Sequence, residues 1–194
     1  MEKWRSSRIT TIKNWLSPDL IDYLYKTFLF YTPHEFKEVS REANYQEHST
    51  KNRFYSYDFE SRQKPTANFN ALIDYLKFKI NNTFFNGTFP EYERINLNIQ
   101  FPTMEGDWHT DFAEETQGVG TTFLLLLSPK DPAGGGDFSY KDKDDIKEIE
   151  YAQNQLIIFG AGILHRASLF KEQPRVTLAF KINGNIPISN SERT

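Results

Sequence analysis

The run Arg94-Ile95-Asn96-Leu97-Asn98-Ile99-Gln100-Phe101 alternates polar and apolar side chains without a break. A period of two belongs to a β-strand, whose successive side chains point to opposite faces of a sheet. Ile95, Leu97, Ile99 and Phe101 are therefore expected on a core face. Asn96, Asn98 and Gln100 are expected on the other, toward a polar pocket. Downstream, short strands bounded by turn residues are predicted at 107–111, 121–128, 138–141, 147–151, 155–159, 164–169 and 175–182. Eight short strands separated by turns fit two packed sheets wound as a jelly roll.

Upstream of this run the periodicity changes. Ser17-Pro18-Asp19 reads as a helix start, with Ser17 as N-cap, proline in the first turn and an acidic residue at the positive end of the helix dipole. Leu20, Ile21, Leu24 and Phe28 then recur at helical spacing, predicting a helix over 18–29. A second helix is expected over 66–84, with Phe69, Leu72, Ile73, Leu76 and Ile80 on one stripe and Asn86-Gly87 stopping it. Between them, 52–60 alternates as a strand, with Arg53, Tyr55, Tyr57 and Phe59 on one face.

The expected fold is mainly β with flanking helices (α+β). A double-stranded β-helix (jelly roll, cupin-like) core over about 94–182 is backed by the helices of 1–93, and a polar tail occupies 184–194. With 194 residues and no internal repeat, the chain is expected to form a single domain, large enough to bury its own core. Gly134-Gly135-Gly136-Asp137-Phe138 is not a phosphate cradle, because neither the Lys-Ser/Thr nor the helix of a P-loop follows. The mixed charges of 141–150 read as a solvated hairpin.

Composition removes several classes of function. The chain has no cysteine, which excludes disulfides, thiolate metal sites and cysteine nucleophiles and leaves histidine and carboxylate as metal ligands. A net charge of −3 gives no footprint for nucleic acid. The first 15 residues lack an apolar signal region, and the longest purely apolar run, 123–127, is far too short to span a bilayer. A soluble, cytoplasmic protein without a membrane partner is expected.

Chemistry concentrates in three places. In a strand, His109 and Asp111 of His109-Thr110-Asp111 share a face. His165 on a neighbouring strand would complete two imidazoles and one carboxylate, a set that suits non-haem Fe(II) with positions open for other ligands. His165 follows Phe159-Gly160-Ala161-Gly162, a strand and a turn that re-aim the chain. Arg175 and Thr177 also share a face, and a guanidinium fork beside a hydroxyl is a receptor for a carboxylate such as a 2-oxo diacid supplies.

The order His109-x-Asp111, His165, Arg175-x-Thr177 resembles the Fe(II)/2-oxoglutarate-dependent dioxygenases, most closely their prolyl 4-hydroxylase-like branch, over residues 14–182. The Gly-Gly pair before an acidic and a hydrophobic residue, at 135–138, resembles the lead into a central strand in that family. The resemblance implies Fe(II) on His109, Asp111 and His165, and 2-oxoglutarate anchored at its distal carboxylate by Arg175 with help from Thr177. It also implies O2 as co-substrate and ascorbate as a candidate reductant. Succinate and CO2 would be released as a C–H bond is hydroxylated. Halogenating relatives carry a small residue in place of the carboxylate, so Asp111 points to hydroxylation. Many relatives bind the co-substrate through a tyrosine on the preceding strand; Phe101 stands at the nearest position here, and Asn98 or Gln100 is expected to substitute. Trp108, Tyr55, Tyr57, Arg53 and Arg166 are candidate linings of a substrate mouth. The implied substrate is a peptidyl or free amino-acid side chain such as proline. The same chemistry on a small metabolite or nucleobase, and a non-enzymatic jelly-roll metal- or ligand-binding module, are the alternatives.

Overall fold

A computed structural model describes residues 9–33, 35–37, 54–61, 70–87, 90–102, 104, 106–111, 120–160 and 162–184. Two antiparallel sheets stack as a jelly roll, as the strand pattern predicts. The larger sheet holds seven strands, β1 (Thr10–Ile12), β2 (Glu35–Lys37), β3 (Phe54–Ser61), β4 (Tyr92–Gln100), β5 (Gly120–Leu126), β8 (Gln155–Gly160) and β10 (Arg175–Asn183), in the spatial order β1-β8-β5-β10-β4-β3-β2. The smaller holds β6 (Phe138–Asp142), β7 (Asp145–Ile149) and β9 (His165–Ala167), in the order β7-β6-β9.

Residue parity sets what each face of the large sheet does. Ile95, Leu97 and Ile99 of β4, Phe123 and Leu125 of β5, Leu156 and Ile158 of β8, and Val176, Leu178 and Phe180 of β10 form one buried cluster with the helices α1 (Pro18–Tyr31) and α2 (Asn70–Phe84). Leu24 and Phe28 of α1 and Leu76 and Ile80 of α2 are their fully buried anchors. The opposite, inner face meets the small sheet through Leu124, Leu126, Ile157, Phe159 and Ala179 against Phe138, Tyr151, Ile163 and Phe170. The inner face of β10 also carries Arg175, Thr177 and Lys181, paired in register with Gln100, Asn98 and Arg94 of β4.

Pro18 starts α1 as expected, and the Ser17 carbonyl accepts the Ile21 N–H at 3.1 Å; the Ser17 side chain, however, makes no capping bond. Asn86 and Gly87 end α2 with positive φ, as their placement predicts, while 66–69 of the expected helix lie outside the described residues. Asn154, at φ 62°, binds Leu16 through both ends of its amide, at 2.8 and 2.7 Å, and ties the segment before α1 to the large sheet. The strand expected at 107–111 is not formed. One isolated bridge, His109 to His165, replaces it. Phe101 leaves the core face expected for it: it is 39% exposed and meets Tyr55 edge-on at 5.6 Å. Among the described residues no helix is long and apolar enough to cross a membrane. Residues 185–194, the expected tail, are outside them.

Candidate metal centre

The bridge that replaces the expected strand is enough to bring the histidines together. His109 and His165 exchange backbone N–H···O=C bonds, both 2.9 Å, and their rings lie 4.4 Å apart. One ligating atom from each of His109, Asp111 and His165 lies within 4.8 Å of the others. His165 Nδ1 sits 2.9 Å from the Ile163 carbonyl, and His109 Nδ1 2.8 Å from that of Asp107. A carbonyl oxygen only accepts, so both protons belong on Nδ1 and both basic lone pairs on Nε2. Asp111 Oδ2 is 4.0 Å from His165 Nε2.

The electrostatics favour the ligating protonation states. Burial pushes the His165 imidazole down to about 3, reinforced by His109, so it is neutral at physiological pH. Burial alone would raise the Asp111 carboxyl; the Lys181 ammonium and the two imidazoles outweigh it and hold the group well below the usual carboxylate range. Lys181 Nζ lies 2.7 Å from Oδ1, and Thr122 Oγ1 donates to Oδ2 at 2.8 Å. His165 is packed by Phe138, stacked at 5.1 Å with planes 20° apart, and by the edge of Phe159 at 4.7 Å. Two imidazole nitrogens and an ionised carboxylate form a donor set that fits a divalent first-row metal, Fe(II) included.

Arg175 begins β10 and is 4% exposed. Its Nη1 donates to Gln100 Oε1 at 3.1 Å, its Nε to the Gly136 carbonyl at 3.3 Å, and its guanidinium lies 5.9 Å from the Tyr151 ring. Among the described residues, Nη2 is buried without a hydrogen-bond partner. Burial lowers the Arg175 pKa from its ordinary value. The acceptors it bonds are neutral and the Asp137 carboxylate offsets only part of the burial, so a further anion at this guanidinium would be stabilising. The donors it turns out match a carboxylate. Thr177 follows on the same face, 1% exposed.

Gln100 therefore touches the guanidinium. Asn98 lies one pair further along, opposite Thr177, and accepts a hydrogen bond from Asn96 Nδ2 at 2.9 Å. The expected mouth residues do not gather here. Tyr55 and Tyr57 pair with Ile99 and Leu97, so parity sends them to the helix-covered core. Arg166 pairs with Ser139 on the outer face of the small sheet, opposite to inward-facing His165, and its guanidinium stacks on Trp108 at 4.8 Å. Arg53 lies outside the described residues.

Several residues that shape the site went unread in the sequence. Lys181 and Thr122 hold Asp111, and Phe138 and Phe159 wall His165. Parity could have found Lys181, since Arg175, Thr177, Ala179 and Lys181 are successive alternate residues. Asp131 accepts from the N–H groups of Ala133, Lys171 and Glu172 at 2.8 Å and of Gln173 at 3.3 Å, fixing the loop before Arg175. Ser128 closes the same loop, donating to the Pro174 carbonyl at 2.8 Å and accepting the Val176 N–H at 2.6 Å.

No protein-family model and no curated protein matches the sequence. Solved structures do match the fold. A 2OG-Fe(II) oxygenase family oxidoreductase from Burkholderia pseudomallei superposes with a TM-score of 0.67 at 13% identity, covering 91% of this chain and 86% of that one. A Pseudomonas putida prolyl-4-hydroxylase does so at 0.62 and 18% identity, over 90% of this chain and 92% of its own. The non-heme alpha ketoglutarate dependent epimerase SnoN from nogalamycin biosynthesis gives 0.66 at 10% identity, over 99% and 90%. Over nine-tenths of its length or more, the chain has the fold of the 2OG-Fe(II) oxygenases.

Proposed function

We propose that this chain is an Fe(II)- and 2-oxoglutarate-dependent oxygenase that hydroxylates a C–H bond of a peptidyl or free amino-acid side chain, such as that of proline. The observation that carries this reading is the unfilled Nη2 of buried Arg175, on the same inner face as the His109–Asp111–His165 cluster. A metal-binding module needs ligands, but has no use for a buried carboxylate receptor beside them.

In this reading His109, Asp111 and His165 hold the iron, and Arg175 takes the distal carboxylate of the co-substrate by two parallel N–H···O bonds. Thr177 contributes a hydroxyl, and Gln100 keeps the guanidinium oriented. The iron and 2-oxoglutarate, when bound, supply oxygen activation, with decarboxylation to succinate and transfer of one oxygen atom to the substrate. Phe138, Phe159, Leu124 and Leu126 exclude water on the small-sheet side. The fold of the Pseudomonas prolyl-4-hydroxylase supports a proline-bearing substrate for this chain.

A small polar metabolite is the second reading. It is favoured by the inner face of β3 and β4, where Ser56 Oγ and Asn96 Oδ1 are buried without partners among the described residues and Arg94 forks onto Asp58 at 2.8 and 3.0 Å.

Anaerobic addition of Fe(II) and then 2-oxoglutarate to metal-free protein tests the reaction class through the weak visible charge-transfer band of a chelated 2-oxo acid. The band is expected in the wild type and absent in His109→Ala. Its absence from folded wild type with iron bound would move the binding-module reading to the front. Succinate release then separates the substrates. Stimulation by proline-containing peptides supports the first reading, and stimulation by free metabolites alone overturns it.

A further inference from the structure

Along the inner face of β10 the side chains run Arg175, Thr177, Ala179, Lys181, so a second cation stands six residues beyond the first. Lys181 is 12% exposed and Asp111 9%. Lys181 Nζ reaches Asp111 twice, at 2.7 Å to Oδ1 and 3.4 Å to its backbone carbonyl. Thr122 occupies the other carboxylate oxygen. The neighbouring cation on β4, Arg94, is already forked onto Asp58. The charge of the one carboxylate in the ligand set is thus matched by an ammonium before any metal arrives.

A divalent ion entering this set would add two positive charges where the carboxylate is already neutralised, with Lys181 close enough to repel it. Screening is weak where both side chains are this buried. A dianionic 2-oxo diacid bound at the same time would bring one carboxylate to offset this excess charge, its other carboxylate being matched by Arg175. We propose that Lys181 makes metal retention conditional on the anionic co-substrate: the site holds a divalent cation weakly alone and firmly together with 2-oxoglutarate. The inference rests on the metal-site reading above and adds to it a residue that sets the order and strength of loading. Lys181 acts through Asp111 and the local field, so it is a positioning residue.

The experiment is calorimetric titration of the metal-free full chain with Mn(II), with and without saturating 2-oxoglutarate, for wild type, Lys181→Met and Lys181→Arg. Methionine keeps the length and removes the charge, whereas arginine keeps the charge. Lys181→Met is expected to bind Mn(II) alone about tenfold more tightly than wild type and to lose a similar factor of the 2-oxoglutarate enhancement. Lys181→Arg should keep the wild-type pattern. An unchanged or weaker Mn(II) affinity in Lys181→Met means that the lysine only orients Asp111, and overturns the inference alone. A wild type whose Mn(II) affinity ignores 2-oxoglutarate also overturns it, even if Lys181→Met does not fold. A wild type that binds no Mn(II) under either condition overturns the metal-site reading and the inference with it.

Discussion

The Phe138 ring stacks on the His165 imidazole, centroids 5.1 Å apart and planes 20° from parallel, while the Ile163 carbonyl fixes the far side of the same imidazole. One aromatic residue of the small sheet thereby sets the plane in which a candidate ligand presents its lone pair. Phe138 is 1% exposed and also meets Phe159 at 5.1 Å. Truncation would combine lost burial with a cavity beside the site. Phe138→Ala is expected to cost about 3–5 kcal/mol by urea unfolding, and to weaken Mn(II) binding in the fraction that remains folded. Phe138→Leu, which refills most of the space, should recover most of the stability and less of the metal affinity.

In the proposed reading, Arg175 separates co-substrate binding from metal binding. Its contacts run to Gln100 and Gly136, away from the three clustered ligands, so Arg175→Ala should leave the affinity for the metal alone near wild type. Loss of two charge-assisted hydrogen bonds should weaken 2-oxoglutarate by about a hundredfold. Arg175→Lys, a point charge without the fork, should fall between the two. Co-substrate titration of the Fe(II) absorption band in each variant measures this.

How far the sequence discloses this molecule depends on the length of each signal. The alternation of 94–101 and the helical spacing of Leu24 and Phe28 each span several residues, and both elements form where expected. Strands β1 and β2 were not expected. Each is three residues long and defined by its partner, with Thr10, Thr11 and Ile12 pairing to Ile158, Ile157 and Leu156. His109 and Asp111 come together without the strand that argued for them, because Asp111 is drawn to Thr122 and Lys181 on the large sheet. Alternation also leaves open which face is which. Tyr55 and Tyr57 share a face as expected, but only the pairing of β3 with Ile99 and Leu97 assigns it to the helix side.

Asp131 gives a pH-dependent prediction remote from the ligands. Burial would raise its carboxyl; four backbone N–H groups outweigh that and hold it below its ordinary value of 3.8. A carboxyl depressed on folding contributes stability that is complete above its unfolded pKa and is lost as pH falls through its folded pKa. Asp131→Asn would set an amide NH2 against those donors and loosen residues 171–173, just ahead of Arg175. The variant should show a lower urea midpoint at pH 7. Its difference from wild type should shrink as pH drops below about 4. A gap that stays constant down to pH 2 would mean that Asp131 acts through shape and not charge.

The glycine run offers a test that depends on neighbours as well as backbone. Gly134 and Gly135 both hold positive φ, 81° and 99°, so alanine at either is expected to cost about 1–2 kcal/mol from conformation alone. A Cβ on Gly134 would meet nothing within 4 Å, whereas one on Gly135 would lie 1.9 Å from the Leu169 carbonyl oxygen. That oxygen is backbone and cannot swing aside as a side chain would. The loop of 169–173 must then move, and with it the Asp131 anchor and the start of β10. Gly134→Ala should therefore lower the unfolding midpoint modestly and leave 2-oxoglutarate affinity intact. Gly135→Ala should lose at least about 2 kcal/mol more, a size that only a clash or a buried defect produces. It should also weaken 2-oxoglutarate by displacing Arg175. Equal stability losses in the two variants would show that the close approach of Leu169 is not what demands glycine at 135.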